Sequence, residues 1–235
     1  EASQLSASWQ NFGPTLEAHD IRAELKDGGE FSVKRVTLAL DVWQSLLHMR
    51  WQFRDLTFWQ LRFRTNTPIT SGGSDDSLEA SHISDLFLRQ FDHFDLRDSE
   101  VSFLTPSGQR AELAIPQLTW LNDPRRHRAE GLVSLSSLTG QHGVMQVRMD
   151  LRDDEGLLSN GRVWLQADDI DLKPWLGKWM QDNIALETAQ FSLEGWMTID
   201  KGDVTGGDVW LKQGGASWLG EKQTHTLSVD NLTAH

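Results

Sequence analysis

Strict alternation of apolar and polar residues limits how this chain can fold. The pattern is clearest in residues 144–151, where four apolar side chains occupy every second position: Met145, Val147, Met149 and Leu151. Successive side chains of a strand point to opposite faces, so a period of two predicts a strand with one buried face.

Comparable segments recur along the chain, separated by short sequences typical of turns. Extended patterns are predicted over residues 21–25, 31–40, 51–64, 94–104, 110–121, 130–138, 162–168, 189–200, 205–212 and 225–232. Glycine, proline, asparagine and aspartate mark the turns, for example at 105–108 and 201–203. Short turns join antiparallel neighbours, so we predict a mainly β chain of roughly a dozen strands in an antiparallel meander.

One of these segments changes the parity of its apolar residues. Leu56 and Phe58 fall on the opposite parity to the apolar residues before them, which predicts a β-bulge near Arg54 and Asp55. Beyond the bulge, one face is predicted to carry three apolar side chains, Trp59, Leu61 and Phe63.

Three short helices are predicted between the strands. Residues 41–49 begin at the capping residue Asp41, residues 84–91 begin at Ser84, and residues 172–180 have Pro174 near their first turn. The apolar face of the first helix suits either a membrane surface or the edge of the sheet, and packing on the sheet edge is the prediction.

Charge and composition exclude several classes of function. The formal net charge of −12 argues against binding to nucleic acid, which requires clustered Lys and Arg. The one tight basic cluster, residues 125–128, is predicted to be a solvated loop and not an anion site. The absence of cysteine excludes disulfides and thiolate metal sites without fixing the compartment.

No catalytic motif is present. The sequence contains no nucleotide-binding loop, nucleophile elbow or metalloprotease helix. Its eight histidines are scattered singly and are interpreted as ordinary turn or surface residues, and its acidic groups occur at turns. We therefore predict that the chain is not an enzyme, with no catalytic residues, no metal site and no cofactor.

The one-sided strands leave three architectures open. A closed barrel or a sandwich would cover the apolar face with protein, whereas an open, curved sheet would leave that face as a trough. Periodicity does not choose among them.

Three segments carry a family resemblance. The run at 8–21 (SWQNFGPTLEAHDI), the strand–helix–strand pattern at 36–63 and residues 163–175 resemble the AsmA-like family. The resemblance implies an elongated, curved antiparallel sheet that forms an open apolar groove, shaped like a half-barrel, with a few short helices. It also implies a periplasmic protein, tethered to the bacterial inner membrane by an anchor before residue 1, that moves phospholipids between inner and outer membranes.

The same resemblance sets the expected organisation. Residues 1–65 would form the amino-terminal end of the groove, and residues 83–235 a continuing groove segment that is truncated at its carboxy end. Between them, the proline and glycines of residues 66–82 predict a flexible loop. The chain begins at Glu1 and stops within an alternating pattern, so we expect a segment of a longer protein. Phospholipids, the inner membrane and other envelope proteins are the expected partners.

Ten residues are predicted to line the lipid groove because they alternate within three strand segments: Met145, Val147, Met149, Leu151, Val163, Leu165, Phe191, Leu193, Met197 and Ile199. Two other functions stay open. The chain could be a cell-envelope scaffold whose core is covered by its own helices, or a sugar-binding sandwich that uses some of its eleven tryptophans.

Overall fold

A computed structural model describes residues 4–10, 13–24, 28–49, 51–68, 85–104, 110–136, 143–154, 156–171, 185–220 and 223–234. In this part of the chain, thirteen strands form a single open sheet. Twelve of them are neighbours in sequence order, from β1 at one edge to β12 at the other. The short strand β13 pairs with β11, on the same side as β12. The predicted open sheet is confirmed, and a sandwich is excluded.

The strands are long for a globular protein. They are β1 (Gln4–Gln10), β2 (Gly13–Glu24), β3 (Glu30–Leu40), β4 (Phe53–Pro68), β5 (His93–Leu104), β6 (Arg110–Asp123), β7 (Arg126–Ser136), β8 (Val144–Arg152), β9 (Asn160–Asp171), β10 (Ala185–Asp200), β11 (Asp203–Leu219), β12 (Thr224–Val229) and β13 (Leu232–Ala234). An α-helix, α1 (Val42–His48), joins β3 to β4, and a π-helix (Leu86–Gln90) precedes β5.

One pair of neighbouring strands departs from the meander. β4 and β5 are parallel, whereas the other pairs of described strands are antiparallel. Parallel neighbours require a connection that runs back from the end of the first strand to the end of the sheet where that strand begins. The π-helix lies in that connection and replaces the helix predicted at 84–91.

The strand registers give the sheet an apolar face and a polar face. Directly opposed residues of paired strands point to the same side. The apolar face bears Leu16, Leu38, Phe58, Leu96, Leu118, Val147, Leu165 and Leu211, each placed by its register with a neighbour on the same side. It therefore runs across the sheet without changing sides.

A row of irregular residues crosses the sheet from β2 to β6. Asp20, Gln60 and Asp98 have φ angles of 51°, 52° and 47°, and they are missing from the paired registers of their strands. The register of β6 with β7 shifts at the corresponding place, between Ala114 and Gln117. At this row each strand shifts the position of its apolar residues by one. The apolar residues before and after the row therefore point to the same face.

The parity change explains one confirmed and one wrong prediction. The predicted bulge near Arg54 is confirmed by the register shift that leaves this residue unpaired between Phe53 and Asp55. The placement of Trp59 with Leu61 was wrong. Trp59 opposes Arg35 on the polar face, because the parity of β4 changes again at Gln60.

The largest hydrophobic core lies on the apolar face of β3 to β6. Its buried residues are Val33, Leu56, Phe58, Leu61, Phe94, Leu96 and Ile115. Phe87 of the π-helix sits among them, with its ring centroid 4.9 Å from Phe58 and 5.0 Å from Phe94. The π-helix thus covers the apolar face in this half of the sheet.

Two predicted elements lie mainly outside the described residues. The helix predicted at 172–180 and most of the loop predicted at 66–82 belong to this undescribed part, while residues 66–68 continue β4. No helix among the described residues is long and apolar enough to cross a membrane.

The row of irregular residues predicts an unusual response to substitution at Gln60. A positive φ costs an L-residue with a bulky side chain about 1–2 kcal/mol, so Gln60→Val should lower the free energy of unfolding by that amount and Gln60→Gly should not. Urea denaturation measures both. Arg62→Val is the matched control, because Arg62 is exposed on the same strand without positive φ. Equal losses for Gln60→Val and Arg62→Val would contradict the assignment.

Candidate functional site: the apolar face

All ten residues predicted to line the groove lie on the apolar face. Four belong to β8, two to β9 and four to β10. Val147 opposes Leu165, Met149 opposes Val163, and Val163 in turn opposes Met197. Their contact with lipid remains a prediction, but their placement on one side follows from the registers.

These residues continue into neighbouring strands as rows that cross the sheet. One row comprises Val133, Met145, Ala167, Leu193 and Leu211, and the next comprises Gly131, Val147, Leu165, Gly195 and Val209. Rows of this kind form an apolar band perpendicular to the strands. A long hydrocarbon chain lying along the band would meet similar groups at each strand.

Glycines bring strands together within this band. A Cβ at Gly131 would lie 2.2 Å from the carbonyl oxygen of Gln117, and one at Gly161 would lie 2.1 Å from that of Asp150. Both glycines face large side chains, Val147 and Leu151 respectively. The absence of a side chain permits the close approach of the backbones.

The band is less completely covered than the core of β3 to β6. Met145, Val147, Met149, Val163 and Leu165 are only partly buried, although they belong to interior strands of the sheet. The buried clusters here are small; one consists of Ala167, Ile170 and Leu193. In the described part of the chain, the apolar face therefore passes from a covered region into a more open one.

The opposite face of the same strands is polar. Arg148 bonds Glu130 at 3.1 Å and lies 5.2 Å from the ring centroid of Trp164, whose Nε1 donates to Glu194 at 3.2 Å. The rings of Trp164 and Trp196 are 6.3 Å apart and tilted by 54°. These tryptophans take part in cross-strand packing, and their rings do not form the flat platform that the sugar-binding hypothesis requires.

A depression on the polar face is the main competing site. It encloses about 690 Å³ between β6, β7 and β8 and is lined by residues that include Gln117, Gln146 and Arg148. Its charged groups are paired across strands, Arg148 with Glu130 and Arg126 with Asp150. The hydrogen bond from Arg126 lowers the pKa of the Asp150 carboxyl, so this group stays ionised.

The basic cluster at 125–128 is not the solvated loop that was predicted. His127 is buried, with 1% of its side chain exposed, and it lies in β7 on the apolar side, opposite Leu151. Arg126 pairs with Asp150, and Arg128 pairs with Asp123 at 3.1 Å. The cluster reads as a loop in the sequence because Pro124 opens it, but only the turn at residues 124–125 separates β6 from β7.

A buried polar network attaches the π-helix to the sheet. Asn122 donates from Nδ2 to the carbonyl oxygens of Phe87 and Phe91, at 2.7 and 2.8 Å. Its Oδ1 accepts from Trp120 Nε1 at 2.7 Å and lies 2.6 Å from His127 Nδ1. All the polar atoms of the Asn122 side chain are therefore used, which fixes its orientation.

Asp153 completes this network. Its Oδ2 lies 3.0 Å from His127 Nε2, and its Oδ1 accepts from the backbone N–H of Leu158 at 2.8 Å. Burial raises the pKa of this carboxyl, but the hydrogen bonds outweigh burial and hold the pKa below its usual range. Its contribution to stability is therefore present above that usual range and is lost as the pH falls through the lowered value.

Helix α1 differs from its prediction. It was expected to pack on the sheet edge, yet none of its residues is buried, and Trp43, Leu46 and Leu47 are exposed. The capping prediction was right, because Asp41 Oδ1 accepts from the Gln44 backbone N–H at 3.0 Å. Among the described residues, no three acidic or histidine side chains are arranged to hold a metal ion.

The Asn122 network predicts how the π-helix can be released. Asn122→Ala removes both hydrogen bonds to the π-helix and leaves two partly buried carbonyl acceptors unpaired, so the free energy of unfolding should fall by about 1–3 kcal/mol. Hydrogen exchange at the Phe91 amide, which donates to Leu86 at 3.1 Å, should accelerate. Thr119→Ala, on the polar face of the same strand, is the control. Unchanged exchange at Phe91 in Asn122→Ala would contradict the attachment.

Comparison with known proteins supports the family resemblance. A family model described as YhdP protein matches residues 1–235, the whole of the sequence. No solved structure matches the chain. A match over this length shows membership, and the chain belongs to the YhdP family.

Proposed function

We propose that this chain is a segment of a periplasmic protein, anchored in the inner membrane, that conducts phospholipids to the outer membrane along its apolar face. Membership of the YhdP family suggests a bridge-like lipid-transport protein. The observation that carries the proposal is the apolar face itself, which continues from strand to strand and bears partly exposed apolar side chains on β8 and β9.

The apolar face supplies enough free energy to hold an acyl chain. Each CH₂ that leaves water contributes about 0.8 kcal/mol, so a chain of about sixteen carbons would be held by on the order of 10 kcal/mol. This amount would keep a lipid tail from escaping into the aqueous space. Complete burial of the tail would be needed to realise all of it.

Movement along the face requires no large change in contacts. A tail that advances by one strand exchanges one apolar row for another, for example the side chains of β8 for those of β9 and β10. Similar contacts before and after each step keep the barrier low. Headgroups would stay in solvent, which agrees with a site that consists of an apolar surface instead of a closed polar pocket.

The size of the sheet limits what this segment can span. Twelve strands in one path have eleven spacings of about 4.8 Å, or roughly 53 Å along the sheet. The segment would therefore form one section of a longer path, and the remainder of the protein would complete it.

A cell-envelope scaffold is the second candidate. The π-helix and its phenylalanines cover the apolar face of β3 to β6, as a protein with a self-covered core would require. Lipid transport is favoured for the section around β8 and β9, where Val147, Met149 and Val163 remain partly exposed. The two candidates differ in whether this section contacts lipid.

Photo-crosslinking at neighbouring positions of β8 tests the proposal. A photoreactive amino acid at Val147 should capture phospholipid in cells, whereas one at Gln146 should not, because Val147 lies on the apolar face and Gln146 on the polar face. Captured lipid is identified by mass spectrometry after purification. Equal labelling at both positions would contradict the assignment of the faces.

Crosslinking along the apolar face then separates the two candidates. Labelling at Leu165 and Met197 as well as Val147 would support a path that crosses strands. Absence of lipid at all three positions, in a protein that folds with the same thermal stability as wild type, would favour the scaffold.

A further inference from the structure

Exposed apolar side chains are concentrated around helix α1. Five of them fall within nine residues, with exposures of 65% at Trp43, 62% at Leu46, 75% at Leu47, 90% at Met49 and 66% at Trp51. Elsewhere among the described residues, only Leu5 is a large apolar residue exposed above 60%. A concentrated apolar patch of this kind marks an interaction surface.

The other side of the helix is held by residues next to the ends of the strands. Ser45 Oγ donates to the carbonyl oxygen of Asp41 at 2.6 Å and accepts from the Gln52 backbone N–H at 2.9 Å. Val42 lies beside Gly13, where an added Cβ would come within 3.3 Å of Val42 Cγ2. These contacts hold the helix at the end of the β3–β4 hairpin and turn its apolar side outward.

The outward side is amphipathic in the manner of an interfacial helix. Side chains follow one another by about 100° around a helix, so Trp43, Leu46 and Leu47 lie within one arc, and Gln44 and His48 lie on another. Tryptophan and leucine on one side and polar groups on the other are typical of helices that lie in a membrane interface. Tryptophan is also enriched at the headgroup level of bilayers.

Local charge identifies the kind of surface that fits. Between Asp41 and Asp55 the sequence contains Arg50 and Arg54 and no acidic residue, although the chain carries a formal net charge of −12. The two flanking carboxylates are engaged within the protein, Asp41 with the Gln44 N–H and Asp55 with the hydroxyls of Thr37 and Thr57. Basic residues beside an apolar helix favour anionic lipid.

We propose that α1, together with Met49 and Trp51, forms a docking site for the interfacial region of an anionic phospholipid bilayer. This contact would be separate from any anchor outside the chain and from the lipid path on the apolar face. It would hold the α1 end of the sheet, where β3 ends and β4 begins, at the membrane surface.

A single environment-sensitive label tests the docking site in the 235-residue chain. The chain has no cysteine, so Leu47→Cys can carry one nitrobenzoxadiazole group. With vesicles of phosphatidylethanolamine and phosphatidylglycerol at 3:1, its emission should shift to the blue and rise several-fold, and pure phosphatidylcholine should give a smaller response. Labels at Gln44→Cys and at the distant, exposed Leu227→Cys should change little. No response at position 47, or an equal response at 44, would overturn the proposal.

A second variant separates this inference from the proposed function. Trp43→Ser with Leu47→Ser should reduce vesicle flotation at least fivefold while leaving copurified phospholipid unchanged, and Trp196→Ser should preserve both. If the double variant lost copurified lipid as well as flotation, α1 would belong to the lipid path and the docking site would be overturned. A lipid-free chain that still floats through α1 would refute only the proposed function. Light scattering could instead show a dimer that forms without lipid and dissociates in Leu47→Ser. That result would overturn the bilayer proposal and identify a second copy of the chain as the partner of α1.

Discussion

The structure depends on strand registers that keep apolar side chains on one face of a single sheet. A shift of one residue would move every side chain of a strand to the other face. The row of irregular residues at Asp20, Gln60 and Asp98 shows how the registers absorb such shifts, because neighbouring strands change parity at the same place. Continuity of the apolar face follows from this agreement between strands.

The apolar face has two regions with different cover. Over β3 to β6 the π-helix and its C-cap cover the face with Phe87 and Phe91, and Asn122 fixes that helix through two hydrogen bonds. Over β8 and β9 several of the corresponding side chains, such as Val147 and Val163, are partly exposed, although Leu151 and the neighbouring Leu193 of β10 are buried. A lipid path and a self-covered core therefore describe different parts of one sheet, and the more open part carries the proposed transport function.

Much of this could be predicted from sequence because alternation records which side of a strand is buried. Residues 144–151 identified their strand and its apolar side, and Leu56 and Phe58 revealed the bulge at Arg54. Trp59 was misplaced because the strand changes parity at Gln60, which has a positive φ. Positive φ is usually signalled by glycine in a sequence, and here the residue is glutamine. The parallel pairing of β4 with β5 and the burial of His127 arise from contacts distant in sequence, which periodicity does not record.

Native mass spectrometry of the chain purified from bacterial membranes measures lipid occupancy of the apolar face most directly. A protein that carries lipid should show masses above that of the chain by one or more phospholipids, which are lost on collisional activation. The lipid-bound fraction should fall in Val147→Asp but not in Gln146→Asp. A folded, lipid-free protein under the same gentle conditions would contradict a lipid path on the apolar face.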